Sequence, residues 1–445
     1  MATERDEAKQ YVIRTAKEND VKFIRLWFTD ILGSLKGFAI TVEELEDSLI
    51  RGVGFDGSSV EGFARIDESD MVAMPDPTTF RILPWRPLQN AVARMFCDVL
   101  TPDDTAFEGD PRYVLKQMVA RATALGYTYY VGPELEYFYF KDPKTPEGLD
   151  QAGYFDQIPG ELASDLRRES VLMLSEMGIP VKYSHHEVAP SQHEIDLQYT
   201  DALTMADNVM TSKMVIKEVA AKHGVHASFM PKPVATINGS GMHVHQSLFK
   251  GGRNAMFDPH DPWKLSRTAR LYIAGLMRHA REITLVTNQW VNSYKRLVPG
   301  YEAPAYVSWA RINRSDLIRE PAFRQGREDS VRVEYRAPDP ACNPYLAFSV
   351  MLAAGLAGIE NEYDIPDPVE ANVYEMSVEE RERRGIQTLP GSLLEAIQLT
   401  EASGLVRKAL GEHIFRSFIQ NKKIEWDKYR THVTDYEIER YLPIL

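Results

Sequence analysis

Two histidines follow a glycine-rich turn in the stretch 238–247, which has the sequence Asn-Gly-Ser-Gly-Met-His-Val-His-Gln-Ser. His243 and His245 are two positions apart, so their side chains share a face if the segment is extended. The glycines allow backbone N–H groups to come close to an anion, because glycine permits unusual dihedrals and has no side chain. The stretch predicts a metal or phosphate site. A hairpin with two core histidines is the alternative that it leaves open.

Carboxylates with comparable spacing occur in two other segments. Glu134 and Glu136 share one face of the aromatic-rich segment 128–140, which we expect to be extended. Glu187 and Glu194 are separated by a length that permits a strand, a turn and a returning strand. Two neighbouring carboxylates repel each other unless a cation lies between them. For each pair alone, a solvated strand face or a structural ion pair is the alternative.

A fourth segment, 331–336, places Arg332, Glu334 and Arg336 on one face of a predicted strand. The five glutamates and His243 form an oxygen-rich set that suits Mg²⁺ or Mn²⁺ better than zinc or copper, with room for two ions. Guanidinium groups suit phosphate and carboxylate oxygens. Candidates near polar loops are Arg296, Arg314, Arg319, Arg332 and Arg336. These residues together indicate phosphoryl transfer.

Two common nucleotide motifs are excluded. The chain contains no Gly-x-x-x-x-Gly-Lys-Ser/Thr sequence, so a P-loop nucleotidase is not predicted. Residues 52–57 fit Gly-x-Gly-x-x-Gly, but a predicted helix precedes them where a dinucleotide-binding unit requires a strand. We interpret this match as accidental.

Composition narrows the class of protein further. The 445 residues include 64 acidic and 51 basic ones, and the net charge of −13 argues against a nucleic-acid partner. Two cysteines, Cys97 and Cys342, predict a reducing compartment rather than a disulfide framework. The charged N-terminus gives no sign of export, and the longest apolar run, 345–359, is shorter than the roughly 20 residues that span a bilayer. We expect a cytoplasmic protein with no membrane partner and a buried helix at 345–359.

The chain divides into two unequal parts. A charged helix at 5–20, a strand at 22–28 and a strand at 91–99 predict a small α+β unit, in which Thr41 and Glu44 form a capping box. The polar stretch 101–110 marks the boundary, so the predicted domains are 1–106 and 107–445. Further helices are predicted at 111–124, 159–177 and 201–223.

Three longer motifs identify a family. They are Phe-Asp-Gly-Ser-Ser at 55–59, the stretch 232–247 that ends in Met-His-Val-His-Gln-Ser, and Asn-Ser-Tyr-Lys-Arg-Leu-Val-Pro-Gly-Tyr-Glu-Ala-Pro at 292–304. In this order they resemble the glutamine synthetases of the bacterial and archaeal type I class, over essentially the whole chain. The resemblance implies ATP-dependent formation of glutamine from L-glutamate and ammonia through γ-glutamyl phosphate. It also implies an α+β fold, with an N-terminal β-grasp domain and a larger catalytic domain that has a curved antiparallel sheet and flanking helices.

The same resemblance implies a homo-oligomer. Type I members form dodecamers of two hexameric rings, with each active site between neighbouring subunits. The apolar C-terminal tail would reach into the opposite ring, and packing on its own domain is the alternative. Nitrogen-regulatory proteins are partners that the resemblance leaves open.

The resemblance also implies a role for individual site residues, each at a position that matches a family motif. Two or three Mg²⁺ or Mn²⁺ ions are implied, one held by Glu136, Glu187 and Glu194 and another by Glu134, His243 and Glu334. Nucleotide and phosphate contacts are implied for His245, Gln246, Ser247, Arg314, Arg319 and Arg332. The residues that resemble the family's glutamate-binding site are Asn238, Gly239, Arg296 and Arg336. The resemblance places Arg314 and Glu302 beside them.

The ammonium pocket is implied at Asp56, Tyr154 and Ser59, with Asp56 coming from a neighbouring subunit to take a proton from ammonium. Glu302 resembles the flap carboxylate that closes over the intermediate, excludes water and accepts a later proton. Because all three motif positions Asp56, Tyr154 and Glu302 are retained, ammonia is favoured as the amine. A ligase for polyamines or other amines, and a non-catalytic glutamine-sensing homologue, are the rival functions.

Some positions depart from the family or concern its regulation. Ile312 replaces a usual arginine, and the charged segment 323–330 lacks a lysine found near the nucleotide in some members, which leaves its nucleotide contacts open. Arg65 resembles the arginine of glutamine feedback in the alpha subtype, with a structural ion pair as the alternative. Tyr374 matches the tyrosine adenylylated in the beta subtype. Because the run at 379–381 resembles the alpha subtype, we do not expect adenylylation.

Overall fold

The computed structural model describes residues 4–58, 60, 62, 70–311, 313, 316–322 and 325–445. Within these ranges the N-terminal part forms a mixed sheet in the order β2-β1-β6-β4-β3, with β5 on β6. Its elements are α1 (Glu4–Glu18), β1 (Val21–Thr29), β2 (Leu35–Thr41), α2 (Leu45–Arg51), β3 (Val53–Asp56), β4 (Asp70–Pro75), β5 (Arg81–Ile82) and β6 (Ala91–Leu100). Strands β1 and β6 run parallel, and α1 packs on the sheet through Val12 and Ala16.

Two local patterns near α2 can be compared with this structure. Thr41 makes no side-chain cap, so the predicted capping box is wrong; its hydroxyl interacts with Glu43 instead, and a 3₁₀ turn at Val42–Glu44 precedes the helix. Gly52 follows α2 with a left-handed φ of 71°, a helix-ending conformation that glycine favours. A helix therefore does precede the Gly-x-Gly-x-x-Gly match, as expected.

The larger part has a sheet in the order β14-β15-β16-β12-β7-β9-β8 within the described residues. Its strands are β7 (Thr128–Phe140), β8 (Val181–His186), β9 (Gln192–Leu197), β10 (Thr200–Asp201), β11 (His226–Ser228), β12 (Val244–Lys250), β13 (Arg253–Asn254), β14 (Trp309–Ala310), β15 (Ile318–Arg319) and β16 (Val333–Tyr335). The strand pairs are antiparallel except for β14 and β15, which run parallel, so the sheet is mixed rather than purely antiparallel.

Helices cover this sheet and build the core. They are α3 (Pro111–Ala124), α4 (Leu162–Glu176), α5 (Ala202–Lys222), α6 (Arg267–Thr287), α7 (Ser293–Arg296), α8 (Pro344–Glu360), α9 (Val378–Arg383), α10 (Leu393–Glu401), α11 (Gly404–Arg430, kinked at Gly411) and α12 (Asp435–Tyr441). Residues 344–358 of α8 are all buried, as the apolar run predicts. No helix in the described part of the chain is long and apolar enough to span a membrane.

The two parts are joined by buried polar contacts. Arg112 of α3 forms ion pairs with Asp76 at 2.8 Å, Asp98 at 2.6 Å and Asp207 at 3.0 Å, and so connects the N-terminal sheet to α5. The Asn343 side chain caps α8 and also donates to the backbone carbonyl of Asp30 at 3.1 Å. These paired groups, which are buried or partly buried, connect the N-terminal sheet to the larger part of the same chain.

Candidate active site

Four neighbouring strands bring the predicted ligands onto one face of the larger sheet. His245 of β12 lies opposite Glu334 of β16, and Glu136 of β7 lies opposite Glu194 of β9. Strands β8 and β9 form the predicted hairpin, in which His185 lies opposite Glu194. Because side chains alternate along a strand, this register places the charged positions together and leaves the apolar ones in the core.

The first half of the site contains Glu134, His243 and Glu334, which have potential ligand atoms all within 4.8 Å of one another. Nδ1 of His243 lies 3.0 Å from Glu134 Oε2 and 3.7 Å from Glu334 Oε1. Nδ1 of His245 accepts a hydrogen bond from Arg332, so its Nε2–H is directed at Glu134 Oε1, 2.7 Å away. The structure brings one complete predicted ligand set together.

The protein's own cations surround this half. Arg336 donates to one oxygen of Glu334 and Arg319 to the other, both at 2.7 Å. Burial alone would raise the pKa of Glu334, but Arg336 and His245 hold it at about 2. Burial is likewise outweighed at Glu134, where His245 and His243 keep the pKa of the carboxyl well below its usual value. Both carboxylates are therefore ionised at neutral pH.

The second half contains Glu136, Glu187 and Glu194, and it has few cationic partners. Oε2 of Glu136 accepts from the Gln192 amide at 3.0 Å and the Gly241 N–H at 2.9 Å, and Glu187 accepts from the Val188 N–H at 3.0 Å. Burial raises the pKa of Glu136 to about 7, although Arg296 opposes the shift. Burial and the Glu136 charge raise the pKa of Glu187 to about 8.

Glu194 completes this second half. His185 Nε2 lies 3.0 Å from Glu194 Oε1. Potential ligand atoms of His185, Glu194 and Asp196 all lie within 4.8 Å of one another. Burial and the charges of Glu134 and Asp196 raise the pKa of Glu194 well above its usual value. Buried carboxylates that disfavour one another's charge are suited to hold a divalent cation, because the cation removes the repulsion. The donor set thus fits Mg²⁺ or Mn²⁺.

The glycines of the turn before β12 allow other protein groups to approach its backbone closely. A Cβ at Gly241 would lie 2.5 Å from Nη2 of Arg296, and a Cβ at Gly239 would lie 2.2 Å from the Pro231 carbonyl. The turn uses its N–H groups within the protein: Gly241 donates to Glu136, and Ser240 donates to Pro231 at 2.8 Å. The anion at the Gly241 amide is therefore a site carboxylate of this chain.

The predicted substrate arginines are both buried. Arg296 donates to the backbone carbonyls of Ala337 at 2.7 Å and Arg336 at 3.2 Å. Arg336 donates to Glu334, while its Nε is buried and has no hydrogen-bond partner among the described residues. Some of the donors of both arginines are thus committed to the protein, and the unpartnered Nε is one that a substrate oxygen could satisfy.

Gln246 requires a correction among the nucleotide residues. Its side chain points to the face opposite His245, where its Oε1 accepts from the hydroxyls of Tyr129 and Tyr272, both at 2.8 Å. The fully buried amide is part of the core and is not available to a nucleotide on the His245 face. Ser247, two residues from His245, lies on the His245 face of β12 and is buried.

The remaining predicted residues lie at the edge of the site. The Glu302 carboxylate is exposed and accepts from Asn238 Nδ2 at 3.3 Å. Tyr154 is 46% exposed, stacks on Phe155 and packs against His185. Asp56 lies at the end of β3, where it accepts from the Ser58 N–H at 2.8 Å; this contact and the Ser58 hydroxyl lower its pKa. Four predicted positions lie outside the described residues: Ser59, Arg65, Ile312 and Arg314.

Several residues that support the carboxylates were not singled out from the sequence. His185 contacts Glu194, and Gln192 fixes Glu136. Behind them, His186 Nε2 lies 3.0 Å from Asp150, and Arg167 lies 2.7 Å from Nδ1 of His193. The sequence His-His-Glu followed by Gln-His-Glu carries the signal, because strand alternation puts one residue of each adjacent pair on the site face and the other behind it.

The geometry of the site and the family models that match the chain indicate the same class of protein. A face of paired carboxylates and histidines with arginines beside it defines a metal-dependent enzyme that acts on anionic substrates. Residues 20–102 match the family model "Glutamine synthetase, beta-Grasp domain", and residues 108–441 match "Glutamine synthetase, catalytic domain". The chain belongs to the glutamine synthetase family, whose members are ATP-dependent ligases that use divalent metal ions.

Individual relatives agree with the family. The chain is 54% identical to a glutamine synthetase of Methanosarcina mazei over 98% of both chains. It is 52% identical to that of Mycolicibacterium smegmatis, covering 99% of this chain and 100% of the relative. The predicted glutamine synthetase fold and function are confirmed.

Solved structures have the same fold. A glutamine synthetase of Plasmodium falciparum has a TM-score of 0.89 at 25% identity and covers 99% of both chains. A structure of GmaS in complex with ADP has a TM-score of 0.88 at 31% identity, covering 97% of this chain and 99% of that one. The similarity includes both the N-terminal sheet and the carboxylate-bearing sheet.

Proposed function

We propose that this chain makes glutamine at the carboxylate face of β7, β9, β12 and β16, by forming γ-glutamyl phosphate from glutamate and ATP and then replacing phosphate with ammonia. The observation that carries the proposal is the convergence of Glu134, His243 and Glu334 within 4.8 Å. Glu136, Glu187 and Glu194 extend the same face. This arrangement supports phosphoryl transfer because such transfer depends on positioning and charge neutralisation rather than on covalent chemistry by the protein.

Two or three Mg²⁺ or Mn²⁺ ions are proposed per site. Glu136, Glu187 and Glu194 would hold one ion, and Glu134, His243 and Glu334 would hold another. When bound, such ions neutralise the phosphate oxygens and align the transferred group. The raised pKa values of Glu136 and Glu187 support an ion at the second half of the site, since buried carboxylates with few cationic partners are suited to bind one.

ATP is proposed to bind on the His245 side of the site. His245, Ser247, Arg319 and Arg332 are the described residues assigned to it, and Arg314 is assigned by the family motif. The arginines would neutralise charge on the transferred phosphoryl group. Similarity to a structure that contains ADP supports a nucleotide at this fold.

Glutamate is proposed to bind between Asn238, Gly239, Arg296 and Arg336. The unpartnered Nε of Arg336 supports this position, since a substrate carboxylate would satisfy it. Arg314 is again assigned by the family motif. Glu302 would close over the γ-carboxyl end, exclude water and take the proton that the attacking amine loses.

Ammonium is proposed to bind near Asp56, Ser59 and Tyr154, with Asp56 supplied by a neighbouring subunit. Asp56 is exposed at the end of β3, and among the described residues it bonds to Ser58 rather than to the carboxylate face of its own chain. Its lowered pKa keeps it ionised, which suits attraction of the ammonium cation. Its role as the proton acceptor is carried over from the family motif. The free amine then attacks the acyl carbon and phosphate leaves.

A dodecamer of two hexameric rings is part of the proposal. In α12 and the residues after it, Tyr436, Leu442, Ile444 and Leu445 are exposed, and Leu445 is 99% exposed. Such an apolar terminal segment is unusual on a free surface. Insertion of this tail into a subunit of the opposite ring would cover it. Glutamine feedback through Arg65 and the assignment to the alpha subtype remain proposals from the sequence.

An amine panel tests the choice of substrate. The purified full-length protein with ATP, Mg²⁺ and glutamate should release phosphate and form glutamine with ammonium, and should release little phosphate with putrescine or ethylamine. Phosphate release with either amine but not with ammonium would instead make the chain a γ-glutamyl-amine ligase. Absence of turnover with every amine would favour a glutamine-sensing homologue.

Asp56→Asn tests the proton acceptor separately. Asparagine retains an oxygen for the Ser58 N–H but cannot take a proton, so ammonium-dependent glutamine formation should fall by about 100-fold or more. Hydroxylamine is uncharged at neutral pH and needs no such base, so formation of γ-glutamyl hydroxamate should persist. Asp70→Asn, directly across the strand pair, is the matched control. Equal loss of both products would contradict a role specific to ammonium.

A further inference from the structure

The segment that carries Glu302 has an unusual backbone. Gly300 has a φ of 100° and Glu302 a φ of 56°. A left-handed φ is uncommon for glutamate and persists only where neighbouring contacts hold it. We name residues 299–304 the flap. The backbone conformation of the flap must therefore be held by contacts on both of its sides.

The side of the flap facing the glycine turn has two contacts. The Lys232 ammonium lies 3.6 Å from the centre of the Tyr301 ring, and Asn238 donates to Glu302 at 3.3 Å. Lys232 and Asn238 belong to the stretch 232–247 that also carries His243. These contacts direct the Glu302 carboxylate toward the proposed glutamate site.

The other end of the flap is held by Tyr374. Its hydroxyl donates a short hydrogen bond to the backbone carbonyl of Ala303, the residue after Glu302. The Tyr374 N–H in turn donates to the Asn372 side chain at 3.1 Å. The Tyr374 ring lies 5.6 Å from the ring of Tyr306. The hydroxyl therefore reaches the flap from a well-packed position.

Contacts around Tyr306 make this position firm. The Arg381 guanidinium lies 4.6 Å from the centre of the Tyr306 ring. The N–H of Leu389 donates to the carbonyl of Ala305 at 2.9 Å, and the N–H of Val307 donates to Gln387 at 2.8 Å. Hydrogen bonds thus fix the backbone just after the flap, and the Tyr374 bond to the Ala303 carbonyl extends this fixed region into the flap.

Burial raises the pKa of Tyr374 to about 12, against the opposing effect of the Arg336 charge. The hydroxyl therefore stays protonated and can donate at neutral pH. The sequence placed Tyr374 at the position of the adenylylated tyrosine of the beta subtype, a role that the chain's other features do not favour. Its contact with the flap is an observation that this match does not explain.

We propose that Tyr374 is a positioning residue for the ligase reaction, whose hydroxyl fixes the Ala303 carbonyl and so keeps the Glu302 carboxylate closed over the γ-glutamyl phosphate. This inference rests on the proposed function of Glu302. A flap that is less firmly closed admits water to the acyl phosphate, which then yields glutamate and phosphate instead of glutamine. Tyr374 should consequently control the coupling of ATP use to glutamine formation.

Tyr374→Phe tests this role, because it removes only the hydroxyl. At ammonium concentrations below KM, the ratio of excess phosphate, meaning phosphate released beyond the glutamine formed, to glutamine should rise about three- to tenfold, the range that loss of one hydrogen bond supports. The KM for ammonium should rise with it, while the unfolding temperature changes little. Tyr363→Phe removes a hydroxyl that contacts His279 at 3.1 Å and is the matched control. An unchanged ratio in Tyr374→Phe would overturn the proposal.

Glu302→Gln separates this inference from the function on which it rests. If Glu302→Gln uncouples phosphate release from glutamine formation and Tyr374→Phe does not, the role of Glu302 stands and that of Tyr374 is wrong. If Glu302→Gln leaves the ratio unchanged, the flap proposal itself fails. Uncoupling by both variants, with the control unchanged, supports the complete account.

Discussion

The two halves of the carboxylate face have the same chemistry but opposite electrostatics. Around Glu134 and Glu334 the protein supplies His243, His245 and arginines, and both carboxylates have lowered pKa values. Around Glu136, Glu187 and Glu194 the partners are mainly neutral donors and two histidines, His185 and His243, and all three pKa values are raised. One half is balanced internally, whereas the other lacks the cations that would compensate its three carboxylates if all were ionised, and we call it the uncompensated half.

This difference indicates two roles for one surface. The balanced half keeps its shape without an ion, because its charges already have partners. The uncompensated half is preorganised for a cation, since binding one removes a repulsion that folding imposes. If the proposed ion binds to the uncompensated half, adjacent strands of one sheet combine a region that is stable without metal with a region that depends on it.

The largest effect is expected from Glu334→Gln. Both oxygens of Glu334 accept from buried or partly buried guanidinium groups, so an amide would direct an N–H₂ group at either Arg336 or Arg319. Breaking a buried pair on one side typically costs about 3–5 kcal/mol of stability. Urea unfolding of the metal-free protein should show a loss of this order, together with loss of ligase activity. Glu395→Gln, in the half-exposed pair with Arg281, is the control and should change stability by less than about 1 kcal/mol.

Metal addition should distinguish the halves next. At a Mg²⁺ concentration 100 times Kd, one site that binds only the folded protein adds about 2.7 kcal/mol of stability. Glu136→Gln should lose part of this gain, because it removes a donor from the uncompensated half. Thermal unfolding with and without Mg²⁺ measures the difference. A full Mg²⁺ effect in Glu136→Gln would show that Glu136 is not a ligand.

A smaller effect concerns pH. Since the pKa values of Glu136 and Glu187 in the folded protein, about 7 and about 8, exceed the ordinary value of 4.5, the metal-free folded state binds more protons than the unfolded state between these limits. Stability therefore falls as pH rises from about 5 to 8. The unfolding temperature of chelator-treated protein should decrease across this range, and Mg²⁺ should reduce the decrease. An increase with pH would contradict the assigned imbalance.

Much of the fold could be predicted from local patterns. The strand at Thr128–Phe140, the helix at Pro111–Ala124 and the hairpin that joins Glu187 to Glu194 all follow from periodicity and turn residues. Spacing alone indicated a pool of five glutamates with His243, and the family resemblance implied the particular set Glu134, His243 and Glu334. The strand register that brings them together is a tertiary property and becomes visible only in the structure.

Other features depend on contacts that spacing does not reveal. The carbonyl partners of Arg296 lie about 40 residues further along the chain, at Arg336 and Ala337. Gln246 is a different case, since strand alternation alone places it opposite His245, whereas the family resemblance suggested a nucleotide contact. Thr41 illustrates a third kind of error. Its sequence context matches a capping box, but a 3₁₀ turn forms there and the Thr41 side chain makes no cap.

The sign of one stability change tests the central claim most directly. In Glu136→Gln the amide oxygen can still accept from Gln192 and Gly241, because both bonds go to the same carboxylate oxygen. The substitution therefore removes repulsion and keeps both hydrogen bonds, and the oxygen that it replaces lies 4.0 Å from His243 Nε2. In metal-free protein at pH 8, the unfolding temperature of Glu136→Gln should be higher than that of the parent chain, whereas that of Glu334→Gln should be lower. A decrease in both variants would contradict the division of the site into a balanced and an uncompensated half.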